Sequence, residues 1–214
     1  MNKIAIALAT CLFSASASSA IVLTANLTNN QENPPASPLT NIGLPRTSSG
    51  SAIFTINDDK TAMSFIATIF GLDVTGSQSA DTNDNLVAAH IHAGPLVTPT
   101  SNGPVVWGFF GGPFNDNNPN NFAMTPLASG VGGTFSGIWN APEGNNTTLA
   151  AQLANILEGR AYINFHSTQF TGGEIRGALL PVPEPGTYAL MLCGALVFVV
   201  RAAQRRRVGR AGQT

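Results

Sequence analysis

The chain has 214 residues, of which 43% are hydrophobic and only 10% charged, with a formal net charge of −1. That charge is unevenly spread: residues 21–181 carry four basic side chains against ten acidic ones, a balance of −6, and such a body repels phosphate backbones and excludes nucleic acid as the expected partner. Both cysteines, Cys11 and Cys193, fall in the terminal segments, which excludes a disulfide-stapled fold.

Residues 1–20 read as a secretory signal peptide: Lys3 is the charged start, Ile4 to Phe13 the apolar stretch, and Ser18-Ser19-Ala20 the small-residue end. Cleavage is expected after Ala20, with Ala17 as the alternative. Cys11 follows Leu8-Ala9-Thr10, and Thr10 is bulkier than a lipidation site takes.

Residues 21–181 then form one domain, long enough to bury about 70% of its unfolded surface without metal or disulfides. Its candidate strands come in chain order as Ile21 to Thr28, Ser51 to Asn57, Ala62 to Phe70, Leu86 to His92, Val105 to Phe110, Thr134 to Trp139, Arg160 to His166 and Glu174 to Leu180. Asp58-Asp59-Lys60 marks a hairpin turn. Residues 33–50, 73–85 and 111–121 are polar, Pro-rich or Gly-rich loops. Leu149, Leu153, Ile156 and Leu157 fall on one face of a helix, which Thr147 or Thr148 can cap and Gly159 can end. Many short strands and one helix predict an all-β fold: an antiparallel, Greek-key-like β-sandwich with one short helix.

The C-terminus has three parts. Residues 182–186 contain Pro183, Glu184 and Pro185, a stiff extended piece. Residues 187–203 form an apolar run expected to be a transmembrane helix. Its uninterrupted part, Thr187 to Val200, reaches ~21 Å as helix against a ~30 Å hydrocarbon core. Residues 204–214 are a basic tail, held cytoplasmic by its arginines. This order resembles the PEP-CTERM sorting signal of bacterial exported proteins. The resemblance implies export machinery and an exosortase-like membrane protease as partners. It further implies a protein anchored in the membrane at first, then moved to the cell surface or extracellular matrix, with exopolysaccharide or another envelope polymer as a further partner.

The chain's three histidines lie in two strand candidates, Ala88-Ala89-His90-Ile91-His92 and Tyr162-Ile163-Asn164-Phe165-His166. Side chains alternate along a strand, so His90 and His92 share one face, and Tyr162, Asn164 and His166 share another. Glu174 and Arg176 share a face in the last strand. Were these polar faces to meet, one reading is a closed hydrogen-bond network of Tyr162, Asn164, Glu174 and Arg176 with the histidines. The other is a copper or zinc site at His90, His92 and His166, since two histidines one residue apart can reach one ion. Hydrolysis has weaker support: Ser167 faces away from His166, and no Gly-x-Ser-x-Gly elbow exists. Trp107, Phe109, Phe110 and Trp139 are read as core rather than as a sugar-stacking platform. Asp81-Thr82-Asn83-Asp84-Asn85 begins like a calcium loop but has Leu86 and His92 where glycine and an acid are needed.

Ala89-His90-Ile91-His92-Ala93-Gly94-Pro95, Gly159-Arg160-Ala161-Tyr162-Ile163-Asn164-Phe165-His166-Ser167 and Gly172-Gly173-Glu174-Ile175-Arg176-Gly177-Ala178-Leu179 together resemble the CHRD domain. Leu27 with Glu32-Asn33-Pro34-Pro35, and Gly50-Ser51-Ala52-Ile53-Phe54, look like its start. The stretch from Phe114 to Asn121 departs from it as an Asn-rich insert. The resemblance implies a fold and names no reaction. The expected role is thus non-catalytic binding or structure in the cell envelope or extracellular matrix, not an enzyme and without a cofactor. The alternative is a metal-binding extracytoplasmic protein with redox or hydrolytic activity.

Overall fold

The computed structural model describes residues 20–183 and Gly194. The expected signal segment before Ala20, Glu184 and Pro185 of the expected sorting motif, nearly all of the apolar run and the basic tail lie outside the described residues. Among the described residues no helix is long and apolar enough to cross a membrane.

The strands are β1 (Ile21–Thr28), β2 (Ser49–Ile56), β3 (Ala62–Phe70), β4 (Leu86–Ala93), β5 (Val105–Phe110), β6 (Ala123–Pro126), β7 (Gly132–Asn140), β8 (Ala161–Ser167), β9 (Ile175–Ala178) and β10 (Leu180–Pro181). One helix, α1 (Leu149–Leu157), joins β7 to β8. Their spatial order is β5-β4-β8-β9-β1-β2-β3-β7-β6, with β10 beside β1. The pairings throughout are antiparallel.

The fold is all-β and antiparallel with one short helix, but its strands form one continuous sheet, not two. The sheet curls into a half-barrel whose ends face each other. Phe65 of β3 lies edge-on to Trp107 of β5 at 5.8 Å, Trp107 stacks on Trp139 of β7 at 5.9 Å, and Phe135 of β7 meets Phe165 of β8 at 5.3 Å. None of these pairs joins sheet neighbours. β9 meets β1 at the register pair Thr28 with Arg176, and β10 continues the pairing at Leu23 with Pro181 and Thr24 with Leu180. Burial of the aromatic faces favours the curled sheet.

The inner face follows the period of two. Phe54, Ile56, Met63, Phe65 and Ile69 are fully buried or nearly so, whereas Ile53 and Ile66 on the outer face are exposed. Around α1, the Thr148 hydroxyl accepts from Ala151 N at 3.3 Å, Leu149 and Ile156 are buried, and Gly159 ends the helix at φ 74°. A positive φ of this size suits glycine, which has no Cβ to clash.

Besides shifts of one or two residues at strand ends, two differences from expectation stand out. β6 has no sequence signature, because three of its four residues are exposed and it pairs only with β7, at the sheet edge. The expected last strand divides into β9 and β10 at Leu179, which is fully buried and donates its N–H to Ala161 O.

β8 is buried on both faces. Ile163 and Phe165 enter the core; Tyr162, Asn164 and His166 point the other way, beneath three connecting segments that supply Gly103, Gly112 and Thr171.

A candidate three-histidine metal centre

β4 and β8 are sheet neighbours with His90 opposite Asn164, His92 opposite Tyr162 and Ala88 opposite His166. Ala89, Ile91 and Ala93 face the core, so His90 and His92 turn outward onto the face that carries His166. All three rings are buried, between 4 and 8% exposed. Their ligating nitrogens lie within 4.8 Å of one another.

One nitrogen of each ring is committed to a backbone carbonyl. His90 Nε2–H donates to Gly112 O, His92 Nδ1–H to Gly103 O and His166 Nδ1–H to Thr171 O, each at 2.9 Å. A carbonyl only accepts, so these nitrogens hold the protons and the tautomers follow. The other three nitrogens, His90 Nδ1, His92 Nε2 and His166 Nε2, carry lone pairs. His90 Nδ1 and His166 Nε2 stand 3.1 Å apart, and buried His92 Nε2 has no hydrogen-bond partner among the described residues. A proton between His90 and His166 would make a buried imidazolium, and burial opposes that. His90 and His92 are each pushed down to about 4 by burial first, with further depression from neighbouring histidines, and His166 is lowered by burial as well. Three neutral imidazoles, each oriented by a carbonyl and converging on one point, form the arrangement that metal-ligating histidines adopt.

Around them Tyr162 stacks on His92, ring centroids 4.6 Å apart and planes 7° apart. The Arg176 guanidinium caps the Tyr162 ring at 3.6 Å. Arg176 also donates to Thr98 O at 2.8 Å, Ser101 O at 3.1 Å and Asn102 Oδ1 at 2.9 Å, and so ties residues 94–104 down over the cluster. From that segment, Gly103 N donates to the Tyr162 hydroxyl at 3.3 Å.

Glu174 is not with the histidines. It precedes β9, after Gly173 at φ 131°, so strand alternation does not reach it. Its carboxylate takes Arg46 on both oxygens, with Nη2 to Oε2 at 2.7 Å, together with the Ser48 and Ser167 hydroxyls. Of the four residues read as one network, Tyr162 and Arg176 adjoin the histidines, while Asn164 faces a different acid, Glu32. Burial pushes the Glu32 carboxyl up to about 7, against the downward pull of Arg176. A Cβ on Gly173 would sit 2.5 Å from the Asn164 side chain and 2.7 Å from Glu32 Oε1, so that turn admits only glycine.

The remaining candidates are structural. Trp107, Phe109 and Trp139 are fully buried, and Phe110 packs against Phe122 and Phe135. Ser167 is engaged by Glu174. Asp81 Oδ1 accepts from Asn41 N and Asn83 N, Asp81 Oδ2 lies 3.6 Å from Arg46 Nε, and Asp84 accepts from Ser79 Oγ, so these acids are engaged by the protein's own groups. The insert around Phe114 to Asn121 is pinned by Asp116, which takes Asn121 N, and by Glu143, which takes Asn117 N and Asn118 N. Arg46, Ser48 and the three orienting carbonyls lie in loops without a local pattern and carried no signal. Glu32 stood in a quoted motif, but its partner on β9 is distant in sequence.

No curated protein and no solved structure matches the chain. The CHRD domain does, over residues 23–179, a span that contains every strand from β2 to β9, helix α1 and the whole histidine cluster. By that match the chain belongs to the CHRD domain family.

Proposed function

We propose that this protein is an exported member of its family whose domain holds one transition-metal ion at His90, His92 and His166 and acts as a non-catalytic binding module of the cell envelope or extracellular matrix. The observation that carries the metal reading is the pair of opposed lone pairs, His90 Nδ1 and His166 Nε2 at 3.1 Å, in a buried site where a proton is disfavoured. A cation between them turns that repulsion into two bonds. The carbonyls of Gly112, Gly103 and Thr171 fix each ring for the task. The envelope reading rests on the signal-like residues 1–20 and on Pro183-Glu184-Pro185 before the apolar run.

Elemental analysis of the full chain, purified in detergent without chelator, tests the metal. One equivalent of copper, zinc or a neighbouring d-block metal is expected, with loss in the His92→Gln variant; metal-free protein that takes up none from added salts contradicts it. Terminal sequencing of the protein recovered from the producing cells tests the sorting. A new N-terminus near Ile21 and a C-terminus near Pro183 are expected, and Met1 and Thr214 both intact would contradict it.

A further inference from the structure

Resting on that metal reading, the surroundings of the three nitrogens select among ions. All three ligands are neutral. Among the described residues no carboxylate lies within ion-pair distance of any of the three rings, and the nearest cation is Arg176, over the Tyr162 ring that stacks on His92. Glu174, the nearest candidate by sequence, is closed off by Arg46, Ser48 and Ser167. The Born cost of burying an ion grows with the square of its charge, so a dication here costs about four times what a monocation does, with no carboxylate in contact with the rings to offset it.

Coordination number points the same way. Tyr162, the polar side chain stacked on the cluster, has its hydroxyl held by Gly103 N, and the rings are covered by residues 94–104. A tetrahedral zinc site needs a fourth ligand, whereas a closed-shell copper(I) ion is satisfied by three. With metal–nitrogen bonds of ~2.05 Å, the 3.1 Å between His90 Nδ1 and His166 Nε2 corresponds to a bite of roughly 100°. The three residues' ligand atoms lie within 4.8 Å of one another, so the third ligand, from His92, closes the triangle by moving in about 1 Å or less.

We infer that the centre is a three-coordinate copper(I) site.

The test uses the full chain in detergent. Under anaerobic conditions copper(I) is titrated against a chromophoric copper(I) chelator, zinc(II) against a zinc indicator, and the reduction potential of the copper-loaded protein is measured. One copper(I) per chain is expected, held at least 1,000-fold more tightly than zinc(II), with a potential more positive than that of the aqueous couple. His92→Gln is expected to weaken copper(I) at least 100-fold while the melting profile stays cooperative. Should that variant not fold, X-ray absorption of the copper-loaded wild type replaces it, with three nitrogen neighbours expected. Zinc(II) bound as tightly as copper(I), or a potential below the aqueous couple, overturns the copper(I) inference and leaves the metal reading standing. Failure to bind either ion overturns both.

Discussion

His90 Nδ1 and His166 Nε2 face each other at 3.1 Å while the second nitrogen of each ring donates to a carbonyl, Gly112 O for one and Thr171 O for the other. The two residues are 76 apart in the chain and one strand apart in the sheet. Strand alternation puts both on the outer face, and the loops above them set which nitrogen is bare.

The first prediction concerns pH. Burial depresses all three histidines below their ordinary 6.5, two of them to about 4, so folded rings stay neutral where unfolded rings take up protons. Their contribution to stability is complete above pH 6.5 and is lost as pH falls toward 4. Glu32 slopes the other way between 4.5 and about 7, and the Asp84 and Asp116 carboxyls, raised by burial from 3.8, slope in the same sense as Glu32. Metal-free protein should therefore melt at a lower temperature at pH 5 than at pH 7, and His92→Phe should narrow the gap. A higher melting temperature at pH 5 would contradict this.

Glu32 gives the opposite signature. A carboxyl raised from 4.5 to about 7 contributes fully below pH 4.5 and loses that contribution as pH rises through 7. Glu32→Gln does not titrate there. Its stability relative to wild type should grow by about 3 kcal/mol between pH 4.5 and pH 8, read by urea denaturation. A difference constant across that range would place the carboxyl in water.

Glu174 anchors the loop that carries Arg46 and Ser48 to β8 through Ser167. Glu174→Ala takes from the largely buried Arg46 guanidinium its bidentate partner and leaves it, among the described carboxylates, only the longer contact to Asp81 Oδ2 at 3.6 Å. A loss of roughly 3–5 kcal/mol is expected for a broken buried ion pair. The 1:1 metal binding expected of the wild type should survive in whatever fraction remains folded, because Glu174 makes no hydrogen bond or ion pair to the histidines. A cost below about 1 kcal/mol would contradict the assignment.

Arg176 holds residues 98–102 by three hydrogen bonds and lies flat on Tyr162. Lysine keeps the charge but loses the planar fork. Arg176→Lys should cost about 1–3 kcal/mol and speed amide exchange in residues 94–104 before any strand is affected. Unchanged exchange in that segment would show that the loop is held by something else.

Most strands and the helix were legible because an apolar run or a periodic buried face marks them, whereas β6, with three of four residues exposed, has neither. β3, β5 and α1 fall where alternation and the Leu149–Leu157 spacing put them. The same rule placed His90 with His92, and Tyr162 with Asn164 and His166. It failed at Glu174, because alternation holds only inside a strand and β9 begins one residue later, after the backbone turns at Gly173. It also could not show that one sheet closes on itself, since the Phe65–Trp107 and Trp107–Trp139 contacts depend on curvature and on pairings distant in sequence. The tautomers were not legible either: they depend on the carbonyls of Gly103, Gly112 and Thr171, which every residue type has.

The most direct check is a crystal structure of protein purified without chelator, with diffraction data collected on both sides of the copper and zinc absorption edges. An anomalous peak bonded to His90 Nδ1, His92 Nε2 and His166 Nε2 is the expected result. No peak after soaking with either metal, together with a proton shared between His90 Nδ1 and His166 Nε2 at neutral pH, would contradict the assignment.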